Sequence, residues 1–233
     1  MSDVSKRDRV YQVFQRISPS YDSANDRISL GRAKSWKQLL IDTLLSNVEH
    51  SGTVLDVCCG TGDIAIAIAE RRQDLTVTGL DFSPAMLAEA EKKGSAQANL
   101  NWQEGDALHL PFADGSFSSA CISFGLRNTA DYGQVLREMA RVVHSGGWVY
   151  CLDSFVPDSP FIRPAYEVYF RLVMPLLGGG FCHRQEYVWL WESTQEFLRK
   201  DQLLALFDKA GLVQTSFTGM MFGACALHRG QKP

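Results

Sequence analysis

The stretch TVLDVCCGTGDIAIAIAERR, residues 53–72, decides the reading of this chain. TVLDV is a short apolar run with β-branched residues, which reads as a buried strand. CCGTGD follows at once, and glycines there let the backbone turn sharply. IAIAIAERR then reads as a helix. Strand, glycine-rich turn and helix form the opening half of a βαβ unit.

The same rhythm continues outward. LTVTGLD, 75–81, is a second strand, and SPAMLAEAEKK, 83–93, is a helix with Ser83 as N-cap and Pro84 in the first turn. LNWQEGD, 100–106, and FSSACISFG, 117–125, are the third and fourth strands. Asp131 caps the helix YGQVLREMARVV, and Ser145-Gly146-Gly147 turns into a fifth strand, WVYCLDS. After the helix DQLLALFDKAGL, two last strands near LVQTSFTG and GACALHRG are expected to pair as a hairpin with an antiparallel edge. Strands alternating with helices predict an α/β fold with a seven-stranded, mostly parallel sheet covered on both faces.

Two regions depart from this rhythm. Residues 1–50 read as a helical N-terminal cap, with Val10, Phe14 and Ile17 on one face and Trp36, Leu39, Leu40, Thr43 and Leu44 on another. Residues 51–233 form the main domain, with a helical, aromatic-rich insertion at about 155–200, on the substrate side after strand five. That insertion suits a greasy channel, a core or a dimer face.

The chain has 233 residues and a net charge of −3, so one globular domain is expected and no basic footprint argues for nucleic acid. Residues 1–20 are polar and show no signal peptide, and no apolar run approaches the ~20 residues that span a bilayer. The six cysteines contain no CxxC, and Cys58-Cys59 reads as packing in a tight turn. A reducing, cytoplasmic compartment and no metal site are expected.

Candidate ligand residues follow the strand ends. Gly60-Thr61-Gly62 is succeeded by Asp63-Ile64-Ala65, so the third glycine of a dinucleotide fingerprint is missing. No Tyr-x-x-x-Lys donor accompanies it, which argues against a nicotinamide oxidoreductase. Asp63 places negative charge where a sulfonium or amino-acid ligand is better suited than a pyrophosphate. Asp81 ends strand two about 20 residues on, where a carboxylate accepts ribose hydroxyls. Asp106-Ala107 follows strand three, at the open end of the sheet.

The turn DVCCGTGD, the acid in GLDFSPAMLAEA and the loop GDALHLPF resemble class I S-adenosylmethionine-dependent methyltransferases. YDSANDRISLGRAKSWK, LPFADGSF, ISFGLRN and ALHRGQK narrow the resemblance to the UbiE/MenG/COQ5 quinone C-methyltransferases, from about Val10 to Lys232. The resemblance implies a Rossmann-like fold, S-adenosyl-L-methionine as cofactor, and a prenylated quinol as methyl acceptor. It implies conversion of demethylmenaquinol to menaquinol; ubiquinone or phylloquinone precursors, another small phenolic, and a non-catalytic cofactor-binding scaffold are the alternatives. By the same resemblance, Gly60, Thr61, Gly62, Asp81, Asp106, Ala107 and Ser123 hold the cofactor. Arg127 is expected to hold a phenolate oxygen and Asn128 to orient the ring. Tyr21, on the N-terminal lid, bonds cofactor or substrate or is a packed aromatic. Asp153 is a candidate base or a solvated turn carboxylate. His109 is expected to be structural and His183 a surface residue. Peripheral contact with the inner face of the membrane and a homodimer are further expectations. Leu152-Asp153-Ser154 and EYVWLWESTQEFL depart from the family pattern, near the substrate side.

Overall fold

The computed structural model describes residues 31–159, 161–168 and 192–233. Tyr21, His183 and most of the insertion lie outside the described residues. The elements are α1 (Arg32–Leu45), β1 (Thr53–Val57), α2 (Asp63–Arg71), β2 (Thr76–Asp81), α3 (Pro84–Gly94), β3 (Leu100–Glu104) and β4 (Phe117–Ser123). They continue with α4 (Tyr132–Val142), β5 (Val143–Ser154), α5 (Arg163–Val168), α6 (Lys200–Lys209), β6 (Val213–Met220) and β7 (Cys225–Gln231).

The strands make one seven-stranded sheet in the order β3-β2-β1-β4-β5-β7-β6. β1 to β5 are parallel, and β7 runs antiparallel to both β5 and β6. The last two strands do pair as a hairpin. However, β7 is inserted beside β5, and the outer strand, β6, runs parallel to β1. The strand after the glycine turn also begins earlier than WVYCLDS: β5 starts at Val143, opposite Phe117, and crosses Gly146 through an irregular register before Trp148 pairs with Ser119.

Side chains alternate between two cores, as a pleated strand with both faces covered requires. Val54, Cys121, Tyr150 and Leu152 face Leu40 and Leu44 of α1 and Ile64 and Ile68 of α2. Leu55, Val57, Ile122 and Cys151 face Val135 and Met139 of α4 and Phe207 of α6. The helix starts that the sequence marks are present. Ser83 Oγ accepts from the Met86 backbone N–H at 3.4 Å, and Asp131 Oδ1 from Gln134 at 2.9 Å. No helix among the described residues is long and apolar enough to cross a membrane.

Strand order reverses between β1 and β4, so the connections leaving their carboxyl ends diverge to opposite faces. A crevice forms there, the usual place for ligands in such sheets.

Candidate active site

Three loops build the crevice. The turn after β1 is tight: Cys58, Gly60 and Gly62 all take left-handed backbone, with φ of 55°, 56° and 85°. Gly62 also needs its missing side chain, because a Cβ there would lie 2.4 Å from Cη2 of Trp102. The Gly60 N–H donates to Oδ2 of Asp81 at 2.9 Å, and the Ser83 N–H donates to Oδ1 at 2.9 Å. Asp81 therefore ties the first two loops together. Burial pushes its carboxyl pKa up, against the pull of these N–H donors. The third loop is fastened by Gly105 N–H to the Asp81 carbonyl at 3.0 Å. Asp106 Oδ1 accepts from Leu108 N–H at 2.9 Å, which folds that loop back on itself. His109 joins the fold through its backbone, in a short bridge with Asp106.

The cleft between these loops spans about 810 Å³, part of it open to solvent. Gly60, Asp81, Asp106, Ala107, Ser123 and Asn128 line it, with Cys58, Phe82, Met86, Leu108 and Phe124 supplying apolar surface. Thr61 lines a smaller adjoining cavity of about 400 Å³. Gly62 lines neither and shapes the turn by seating Trp102.

The end of β4 carries the polar groups. Ser123 Oγ and Asn128 Oδ1 are buried with no hydrogen-bond partner among the described residues. The other end of the Asn128 amide is fixed, since Nδ2 donates to the Phe124 carbonyl at 3.3 Å. Phe124 itself takes a left-handed φ of 56°, a conformation that costs a bulky residue on the order of 1–3 kcal/mol and is commonest at functional sites.

Arg127 and Asp153 form a buried ion pair between Nη1 and Oδ1. Oδ2 of Asp153 also accepts from the Arg127 backbone N–H at 3.2 Å, and Oδ1 from Ser154 N–H at 2.8 Å. The Arg127 guanidinium sits 5.7 Å from the centre of the Phe124 ring. Asp153 is thus fully buried and engaged by three donors, rather than a solvated turn carboxylate. Asn128, the next residue along from Arg127, is the one that lines the cleft.

Two charged residues join the site that were not singled out from the sequence. Asp56, inside the quoted turn, is buried at the end of β1. Its Oδ2 accepts from Ala65 N–H at 3.2 Å, and burial pushes its pKa up to about 7. Lys37, on α1, reaches Asp63 Oδ2 at 2.8 Å. Asp56 was visible as the acid opening D-x-x-x-G-T-G-D. Nothing local to Lys37 marked it.

The model of the ubiE/COQ5 methyltransferase family matches residues 2–232. This chain belongs to that family. Among its relatives is a demethylmenaquinone methyltransferase of Bacillus licheniformis, 42% identical over 230 residues, covering 98% of each chain. Another, from Shouchella clausii, is 43% identical over 234 residues and again covers 98% of each. The solved structures it resembles share the fold at low identity. A SAM-dependent methyltransferase from Thermotoga maritima superposes with a TM-score of 0.67 at 20% identity, covering 96% of this chain and 99% of that one. Phosphoethanolamine N-methyltransferase 2 of Haemonchus contortus, solved in complex with S-adenosyl-L-methionine, gives 0.62 at 14% identity, covering 83% and 52%.

Proposed function

We propose that this protein methylates a ring carbon of demethylmenaquinol, with S-adenosyl-L-methionine as methyl donor, to give menaquinol. The observation that carries the reading is the end of β4 in FGLRN. There Ser123 Oγ and Asn128 Oδ1 are buried in the cleft wall without partners. A buried polar atom left unsatisfied costs about 1–3 kcal/mol, so such atoms are expected to meet a ligand.

The residues fit the donor. Asp81 has lone-pair capacity left beside its backbone contacts, and this suits ribose hydroxyls. Asp106 and Ala107 suit an adenine edge, with Met86, Phe82 and Leu108 as apolar cover. Gly60, Thr61 and Gly62 shape the turn against which the rest lies, and Ser123 offers its hydroxyl. When bound, S-adenosylmethionine supplies an electrophilic methyl group on a cationic sulfur.

The chain's own residues prepare the acceptor. A ring carbon becomes nucleophilic when a neighbouring hydroxyl passes its proton to water at the cleft mouth and the electron pair spreads into the ring; once methylated, that carbon releases its own hydrogen to water as a proton and the ring is restored. Asn128 Oδ1 accepts from that hydroxyl and fixes which ring edge faces the cleft. Arg127 stays protonated at any physiological pH and serves as a fixed charge near the developing phenolate. Asp153 is a positioning residue: it holds the guanidinium and the Arg127 backbone in place, and so sets Asn128. The apolar lining excludes water, which strengthens these contacts. Tyr21, outside the described residues, belongs to this reading as the lid residue that the family resemblance implies, with 1–50 as an N-terminal cap and about 155–200 as the substrate-side insertion.

The acceptor's prenyl tail implies work at the cytoplasmic face of a membrane. Phe161 and Phe222, 90% and 75% exposed, support peripheral contact there. Both follow strands, β5 and β6, whose carboxyl ends lie on the cleft side of the sheet. Liposome flotation tests it: retention that is lost in Phe161→Ser/Phe222→Ser supports contact, and no retention of the parent protein rejects it. A homodimer is the other use of that surface, and light scattering in solution reads it directly.

Quinone profiles of cells lacking the protein test the reaction. Accumulation of a menaquinone precursor one methyl lighter is expected. An unchanged profile rejects the assignment.

A further inference from the structure

The loop that follows β3 lies outside the sheet ladder, and one side of α4 takes up its backbone polar groups in order. Gln134 Nε2 donates to the Leu108 carbonyl at 3.2 Å. Glu138 Oε2 accepts from the Leu110 N–H at 2.8 Å. Arg141 donates from Nη2 to the Leu110 carbonyl at 3.0 Å and from Nη1 to the Phe112 carbonyl at 2.8 Å. Arg141 and Glu138 also hold each other, through two contacts of 2.8 Å. The arginine keeps the Glu138 carboxyl below its ordinary pKa, so the carboxylate that accepts from Leu110 stays ionised. Steps of four and then three residues put Gln134, Glu138 and Arg141 on one side of the helix. Both peptide groups of Leu110, itself buried, are thus satisfied by side chains of a single helix. Two residues before it, Leu108 lines the main cleft together with Asp106 and Ala107.

A plain alternative is that Arg141 only fastens a surface loop. Its contact with Asp114, whose side chain is 80% exposed, is of that kind and is worth little. The contacts with Leu110 and Phe112 are different, because they fix the stretch of loop that runs on from the cleft wall. A misplacement of about 1 Å in such a wall is costly even when the altered residue is remote from it. We propose that Glu138 and Arg141 are positioning residues for the methyl donor. Without touching it, they set through Leu110 where Asp106, Ala107 and Leu108 stand against its adenosine part. The inference rests on the adenosyl reading of the main cleft given above.

Calorimetric titration and donor kinetics on the full chain test it. S-adenosylhomocysteine and 5′-methylthioadenosine share the adenosine part and differ at the amino-acid end. Arg141→Met is expected to weaken both by the same factor, about three- to tenfold, the worth of one hydrogen bond. The KM for S-adenosylmethionine should rise by that factor while kcat at saturating donor stays within about twofold, as when a contact shared by ground state and transition state is lost. Glu138→Gln keeps an acceptor for Leu110 but turns an amide donor toward Arg141. It should weaken both ligands equally and by less, and it carries the test if Arg141→Met does not fold. Asp114→Asn removes only the exposed contact and should leave both affinities within about twofold. A lower melting temperature with unchanged affinities in Arg141→Met or Glu138→Gln overturns the proposal and leaves the pair as a loop fastener. Weakening confined to S-adenosylhomocysteine, or an equal loss in Asp114→Asn, overturns it as well. A parent protein that binds neither ligand overturns the adenosyl reading, and this inference with it.

Discussion

Arg127 and Asp153, 26 residues apart in the chain, pair through both side chain and backbone between the ends of β4 and β5. The pair is almost sealed from water, with the two side chains 7% and 0% exposed. Its geometry fixes the short 3-10 turn Leu126–Asn128 and so places Asn128 in the cleft wall. Removing one partner of such a pair leaves a buried charge, at a cost of about 3–5 kcal/mol. Arg127→Ala and Asp153→Ala are each expected to lose that much in urea denaturation. Replacing both by apolar residues, Arg127→Met/Asp153→Leu, is expected to restore much of the stability without restoring turnover. Recovery of full turnover in the double variant would show that neither charge takes part.

Asn128 is expected to act on the acceptor and not on the donor. Asn128→Ala should lower kcat by up to about a hundredfold, the scale seen when a reacting group is misplaced by about 1 Å. Calorimetric affinity for S-adenosylhomocysteine should stay within about twofold in the same variant. A matching drop in both would place Asn128 in the donor site instead.

Asp81 has the opposite signature. Asp81→Asn keeps the shape but replaces one accepting oxygen with an NH2 donor, which is left facing a backbone N–H. S-adenosylhomocysteine is expected to bind roughly tenfold to a hundredfold more weakly. Binding unchanged from the parent would remove Asp81 from the ribose site and leave it as a loop tie alone.

Asp56 links stability to pH. Its carboxyl, ordinarily near 3.8, is pushed to about 7 by burial. Between those values the folded protein holds a proton that the unfolded chain releases, so this group's contribution falls as pH rises through the window. His228 works in the other direction. Burial lowers its pKa to about 4, so its neutral form is favoured and stability is lost as pH falls below about 6.5. The comparison therefore has to be made against Asp56→Asn, in which only the first effect is removed. Relative to that variant, the parent is expected to lose stability between about pH 4 and about pH 7. A constant difference across that range would contradict the buried-carboxyl account.

Gly62→Ala tests the turn after β1. Its φ of 85° disfavours a side chain, and the new Cβ would meet Trp102. A loss of about 1–3 kcal/mol is expected, read as a lower melting temperature. Shrinking the ring in Gly62→Ala/Trp102→Leu should recover the steric part only. If the single variant melts with the parent, the seat under Trp102 is not what the glycine provides.

Much of the fold was legible because its signals are local. β1 and β4 are largely buried runs followed within three residues by Gly60 and Gly125, β2 ends on Asp81, and Ser83 and Asp131 mark helix starts within three residues of what they cap. The cleft residues were legible for the same reason, since they sit at strand ends. What stayed hidden is tertiary. Nothing beside Arg127 announces Asp153, and nothing beside Lys37 announces Asp63, because both partners arrive on another element. The insertion of β7 next to β5 depends on how a hairpin docks, and the pattern of β7 reads alike in either position. Asn128 shows the limit within one motif. FGLRN marked two polar residues together, and only packing distinguishes the one in the cleft wall from the one held behind it.

The most direct test of the central claim is methyl transfer with purified protein, demethylmenaquinol and S-adenosylmethionine labelled with deuterium in its methyl group. Mass spectrometry with fragmentation reads where the label goes. The account predicts a menaquinol carrying the intact deuterated methyl on a ring carbon, with formation lost in Asn128→Ala. Label on a hydroxyl oxygen, or no labelled quinol from a protein that binds the donor, would contradict it.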